Sequence, residues 1–110
     1  MVRPAAIDDP ILAEIVRRLV DALHPDRIYL FGSQARGDAG PDSDYDVLVL
    51  VHEAREPFYR LSQEAHSLLW DLGVAADVLV WSTDRFDRRA HLRASLPGTV
   101  LREGRLLYAA

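Results

Sequence analysis

The segment Tyr45 to Val51 constrains the fold of this chain more than any other stretch. Along a strand its side chains alternate, with Val47 and Val49 on one face and Leu48 and Leu50 on the other. Both faces are apolar, so the segment reads as a central strand covered on both sides rather than a solvated edge. With 110 residues the chain has room for one such core and not for two.

Helical and strand patterns alternate around this strand. Asp9 can cap a first helix with Pro10 at its first position, where no N–H is needed. Ile11, Leu12, Ile15, Val16, Leu19, Val20 and Leu23 recur at helical spacing. His24-Pro25 ends the run, because the residue before a proline avoids the α region. Arg27 to Phe31 is a first strand. Gly32-Ser33 breaks it, Ser33 to Arg36 reads as one helical turn closed by Gly37, and Asp38 to Ser43 has loop chemistry. Beyond the central strand, Pro57 opens a second helix with Phe58, Leu61, Ala65, Leu68, Leu69 and Leu72 along one stripe, and Gly73 stops it. Val74 to Trp81 is a third strand, interrupted by Asp77. Thr83 can cap a third helix running to about Ala94. Pro97-Gly98 breaks the chain, Val100 to Glu103 adds a helical turn, and Arg105 to Tyr108 forms a short terminal strand. The expected class is α/β (α+β), a small mixed sheet of three to four strands packed with helices, as a single domain over 1–110.

Composition narrows the function. Hydrophobic residues make up 49% and charged residues 27%, the balance of a soluble globular protein. The absence of cysteine removes disulfides, zinc–thiolate sites and thiol nucleophiles together. The apolar run Val47 to Val51 is too short to span a bilayer, and Met1-Val2-Arg3-Pro4 does not open a signal peptide, so no membrane association and a cytoplasmic location are expected. A net charge of −4, with basic residues scattered along the chain, argues against long nucleic acid as a partner. A nucleotide that arrives with divalent cations stays compatible with it. All 13 basic residues are arginine, and lysine and asparagine are missing, a pattern that coding bias explains better than function.

Three features carry the chemistry. Gly32-Ser33 follows a strand and opens a helical turn, where unpaired N–H groups and the helix dipole favour a phosphate; alone it is as readily a plain turn with a serine cap. Asp44 and Asp46 stand two apart on an extended chain, so both carboxylates project to one side. Mutual repulsion favours hard cations such as Mg²⁺ between them, although a loop pair capping a strand start reads the same way. Asp77 is a charge within an apolar strand, and such a charge needs a partner. Beside the central strand it would face Asp44 and Asp46; its other reading is a residue just outside the core, paired with an arginine. Three carboxylates around two cations about 3.5–4 Å apart can clamp a phosphoryl transfer. Arg36 can reach a phosphate, or pair with Asp38, Asp42 or Asp44. His52, His66 and His91 show no metal-ligand spacing and read as solvated, while Trp70 and Trp81 read as core or interface residues.

At these residues the sequence resembles the minimal nucleotidyltransferases of the DNA polymerase β superfamily. Their signature is Gly-Ser, ten residues, then Asp-x-Asp, with a third acid on a later strand. Here Gly32-Ser33, the ten residues Gln34 to Ser43, Asp44-Tyr45-Asp46 and Asp77 fit it. The resemblance extends through RIYLF, FGSQARGDAGPDSDYDVLVL, ADVLVW and LREGRLLY, covering roughly residues 10 to 108. It implies a nucleotidyltransferase fold and two Mg²⁺ ions held by Asp44, Asp46 and Asp77. It also implies ATP as nucleotide donor, its phosphates held at Gly32 and Ser33, with Arg36 on the phosphate side.

Larger members of the superfamily carry a further domain for the base or the acceptor, and none is evident here. The resemblance therefore implies that a partner or self-association completes the site. In the minimal family the frequent partner is a small HEPN protein, often an RNase toxin. The implied activity is transfer of AMP from ATP to a tyrosine of that toxin, so that the chain acts as its antitoxin. Two other expectations stand beside it: an antitoxin that occludes its partner without catalysis, and an enzyme that modifies a small-molecule hydroxyl.

Overall fold

The computed structural model describes residues 4, 6–32, 35, 37, 44–52 and 57–110. Helix α1 spans Pro10–Leu23, and the Asp9 carboxylate accepts from the Ile11 N–H at 2.9 Å and the Leu12 N–H at 3.4 Å, satisfying two otherwise orphaned donors. Leu12, Ile15, Val16 and Leu19 form its buried stripe. His24 closes the helix in the left-handed region at φ 47°, its N–H reaching the Val20 carbonyl at 3.1 Å, and Pro25 behind it is fully buried.

Strands β1 (Arg27–Phe31), β2 (Tyr45–Val51), β3 (Ala76–Ser82) and β4 (Arg105–Ala109) form one mixed sheet in the order β3-β2-β1-β4. β1 runs antiparallel to β2 and to β4, while β2 and β3 are parallel. A parallel pair needs a crossover, and helix α2 (Phe58–Leu69), a 3₁₀ turn (Trp70–Leu72) and Gly73 in the left-handed region lie on it.

The central strand is covered on both sides, as its apolar alternation predicts. Val47, Val49 and Val51 pack with the stripes of α1 and α2 in the larger core. Leu48 and Leu50 pack on the other face with Tyr29, Phe86 and Val100. Phe86 belongs to helix α3 (Thr83–Arg89) and Val100 to helix α4 (Leu96–Glu103). Tyr29 stacks on Phe86 with ring centroids 5.4 Å apart, and Arg27 lies over the same ring at 5.4 Å while pairing with Asp87 at 2.6 Å. Arg18 ties α1 to α2, donating to the Leu68 carbonyl at 2.8 Å and to Asp71 at 2.5 Å.

Several boundaries differ from the sequence pattern. β3 starts at Ala76 rather than Val74, because the chain must first turn out of the left-handed Gly73. Ser82, not Thr83, caps α3 by accepting from the Arg85 N–H at 3.0 Å, and Thr83 donates to Asp26 at 2.5 Å. α3 ends at Arg89, short of Ala94, and a tight turn follows in which Ser95 Oγ donates toward the Leu92 and Arg89 carbonyls. Pro97-Gly98 does not break the chain. Pro97 sits in the first turn of α4, where a missing N–H costs nothing, and Gly98 lies against the Leu92 carbonyl where any side chain would collide. The helical turn expected over Ser33 to Arg36 and the loop expected over Asp38 to Ser43 fall largely or wholly outside the described residues. Among the described residues no helix is long and apolar enough to cross a membrane.

Candidate active site

The ends of three strands meet at one edge of the sheet. Asp46, second residue of β2, lies opposite Phe31 of β1 on one side and opposite Asp77 of β3 on the other. Register partners in a sheet send their side chains to the same face. By alternation, Asp46 and Asp77 share the face of Leu48, Leu50, Leu79 and Trp81. Asp44 precedes the strand and is exposed, Asp46 is half-buried, and the Asp77 side chain is 58% exposed.

The start of β2 is fixed by Tyr45, between the two acids. Its hydroxyl donates to Asp9 Oδ2 at 2.5 Å, and its N–H reaches the Ala75 carbonyl at 3.0 Å. Asp9 thus caps α1 with one oxygen and anchors β2 with the other. The Tyr45 hydroxyl, followed by the α1 backbone donors, holds the Asp9 carboxyl below its ordinary range. The same bond, with some burial, pushes the phenol up to about 12.

Gly32 is the third component. It ends β1 with φ +72°, and a Cβ there would collide with Asp46 Oδ2 and stand 3.2 Å from Asp46 Cγ. Only glycine lets this backbone lie against the carboxylate in that conformation. Ser33 and Arg36, expected beside it, lie outside the described residues.

Asp77 is not the buried charge its sequence context suggests, and among the described residues it lies beside a histidine rather than an arginine. His66 of α2 lies 3.5 Å from it, Nε2 to Oδ1. The same Nε2 accepts from the Val78 N–H at 3.2 Å, so Nδ1 carries the ring proton and donates to the Ser62 carbonyl at 2.7 Å. His66 therefore caps an open-edge N–H of β3, rather than being a merely solvated side chain. A lone histidine on the polar side of an amphipathic helix gave no sign of this, since the contact depends on where β3 lies.

Of the two tryptophans, Trp81 packs against the Leu48 and Leu50 side of the core beneath the Arg85 guanidinium at 4.3 Å, whereas Trp70 is 88% exposed and is no part of the core. Between Trp70 and Asp44 runs a groove of about 410 Å³ along the start of β3.

Among the described residues no three acidic or histidine side chains are already arranged to hold a metal ion. The available donors, Asp44, Asp46 and Asp77, are carboxylate oxygens at the start of two neighbouring strands, a set chemically suited to a hard divalent cation. Asp46 and Asp77 in register beside the positive-φ Gly32 thus form an acidic cluster at the strand ends, a donor set suited to phosphate-transfer chemistry. Residues 10–106 match the nucleotidyltransferase domain family, and the chain belongs to that family.

A Methanocaldococcus jannaschii protein carrying the provisional name protein adenylyltransferase is 35% identical over 82 residues, covering 74% of this chain and 77% of its own length. Two solved structures share the fold. A crystal structure of a toxin–antitoxin with AMP-PNP superposes with a TM-score of 0.58 at 24% identity, over 89% of this chain and 73% of the other. The structure of a tri-AMPylated Shewanella oneidensis HEPN toxin in complex with an MNT antitoxin gives 0.54 at 23% identity, over 91% and 71%.

Proposed function

We propose that this nucleotidyltransferase transfers AMP from ATP to a tyrosine hydroxyl of a HEPN toxin and acts in the cytoplasm as its antitoxin, as one minimal domain. The observation that carries the reading is the register of Asp46 against Asp77, with the Gly32 backbone packed on the Asp46 carboxylate. The neighbouring toxin–antitoxin folds, one with AMP-PNP and one with an AMPylated HEPN toxin, favour this nucleotide and this acceptor.

Asp44, Asp46 and Asp77 would hold two Mg²⁺ ions, which when bound neutralise phosphate charge and increase the acidity of the acceptor hydroxyl. Gly32 brings backbone close to the triphosphate, and Ser33 adds a hydroxyl donor, with Arg36 on the phosphate side. Asp77 accepts the proton of the attacking hydroxyl. A new oxygen–phosphorus bond forms at the α-phosphate as the bond to pyrophosphate breaks on the opposite side. The protein's contribution is positioning and charge complementarity.

The test incubates the chain with labelled ATP, Mg²⁺ and the product of the neighbouring gene, and reads the adduct by mass spectrometry. A tyrosine-linked AMP that disappears with Asp44→Asn or Asp46→Asn supports transfer. Inhibition of the toxin without an adduct, unchanged in those variants, would instead establish steric occlusion. Adduct on a small hydroxyl compound but not on the protein would redirect the reading to a small-molecule acceptor.

A further inference from the structure

We infer that the outer edge of β3 is a docking surface whose occupant is β3 of a second copy of this chain, paired antiparallel about a two-fold axis at Val80. The sheet has two outer strands, and they are built differently. β4 has five residues, begins with Arg105 and pairs with β1 through a register shift, features that discourage further pairing. β3 has seven residues in unbroken register with β2, and Asp77 is its one charge. A long, regular and apolar outer strand recruits another strand.

Only part of that edge is open. The Val78 N–H points away from β2 and is taken by His66 at 3.2 Å. Peptide groups alternate along a strand, so those of Val80 and Ser82 point outward too. Among the described residues none bonds the outward N–H of Val80. A groove of about 250 Å³ runs beside it, between Phe58, Tyr59 and Ser62 of α2 and Arg85 of α3. His66 thus closes the start of the edge and leaves the half from Leu79 to Ser82 available.

Charge selects the second copy. The two acids of α3 are engaged, Asp84 by Arg88 and Asp87 by Arg27, and among the described residues no acid pairs with Arg85. Asp77, Leu79 and Trp81 share one face of β3, and the Arg85 guanidinium lies over Trp81 at 4.3 Å. With Val80 opposite Val80 of the second copy, the two residues exchange both backbone bonds. Leu79 then faces Trp81 of the other chain. Asp77 lies diagonal to that indole, within reach of the Arg85 above it. The axis repeats this contact, so the surface is complementary to itself.

The pairing is measured without nucleotide and holds whether or not the chain transfers AMP. Sedimentation equilibrium follows mass against concentration, and hydrogen exchange follows the Val80 amide. We expect a dimer that dissociates on dilution, with Val80 exchange slowing several-fold as it forms. Arg85→Asp should raise the dimer Kd about tenfold or more, because two symmetry-related attractions become repulsions. Asp77→Arg should do the same, and the two together should restore the dimer. Leu79→Lys puts a charge on the open edge and should leave a folded monomer. If that variant unfolds, the charge exchange between Asp77 and Arg85, both exposed, still decides.

A chain that stays monomeric at about 1 mM overturns the pairing. So does a dimer in which the Val80 amide exchanges freely, or in which Arg85→Asp changes nothing. Open-ended assemblies overturn it as well, since a two-fold contact closes on itself.

Discussion

The two ends of β2 are built in opposite ways. Val47 to Val51 are at most 3% exposed and packed on both faces, whereas Asp44 is exposed and Asp46 half-buried at the strand's start. One end lies where two apolar layers converge, and the other projects past them. The core half fixes the register with β1 and β3, and that register alone sets Asp46 opposite Asp77. The division teaches that the acids need no buried scaffold of their own. Substitutions at the open end should therefore abolish transfer without unfolding the chain, and substitutions at the sealed end should do the reverse.

The sharpest separation is Asp46→Asn, for which transfer should fall on the order of a thousandfold, as expected for losing a ligand worth several kcal/mol at the transition state. Its urea midpoint should stay near that of the unaltered chain; a large drop would mean that the open end also holds the fold. Leu48→Ala, two residues along, should lose about 2–5 kcal/mol of stability in urea melts. Its transfer rate per folded molecule should be nearly unaffected, and a rate lost in proportion to Asp46→Asn would erase the distinction.

Gly32→Ala falls between the two classes. The left-handed backbone costs an alanine about 1–2 kcal/mol. Displacement of the Asp46 carboxylate should slow transfer on the order of a hundredfold, as small misplacements at a reacting centre do.

Tyr45→Phe should show the smallest effect, about 1 kcal/mol for one hydrogen bond. Its pH dependence is specific. The lowered Asp9 pKa contributes stability above the usual carboxylate range, lost as pH falls through the depressed folded value. The phenol, raised from 10.0 to about 12, contributes below 10.0 and loses that contribution as pH climbs toward about 12. The gap between the two urea midpoints should therefore be widest near neutrality and close at both extremes; a gap independent of pH would show that the Asp9–Tyr45 bond does not form.

Much of this division is legible in the chain itself. Apolar alternation gave β1 and β2 their observed limits, and the Asp9-Pro10 cap gave α1 its start, since each depends on neighbours in sequence. The i, i+2 spacing of Asp44 and Asp46 and the charge at Asp77 pointed to one end of the sheet for the same reason. What escaped depends on distant contacts. The helical propensity of Arg88 to Leu92 does not reveal that Ser95 ends that run by bonding the Leu92 and Arg89 carbonyls. Pro97-Gly98 resembles a breaker until Ser95 is known to cap a helix around it and Leu92 to press against Gly98. His66 looks solvated until the open edge of β3 arrives beside it, and Trp70 reads as core or interface until the turn that carries it is placed at the surface.

The pairing of β1 with β4 has a consequence in time. β1 and β2 have both been synthesised by Val51, but the other edge of β1 is closed only by Arg105–Ala109, carried there by Gly104, where a Cβ would stand 2.9 Å from the Leu30 carbonyl. At roughly 5–20 residues per second, a ribosome leaves that edge bare for several seconds after its partner strand has emerged. Unpaired edges template association between chains. The interval before β4 docks is thus when the nascent polypeptide is most prone to aggregate, and slowing translation through α4 would lengthen it.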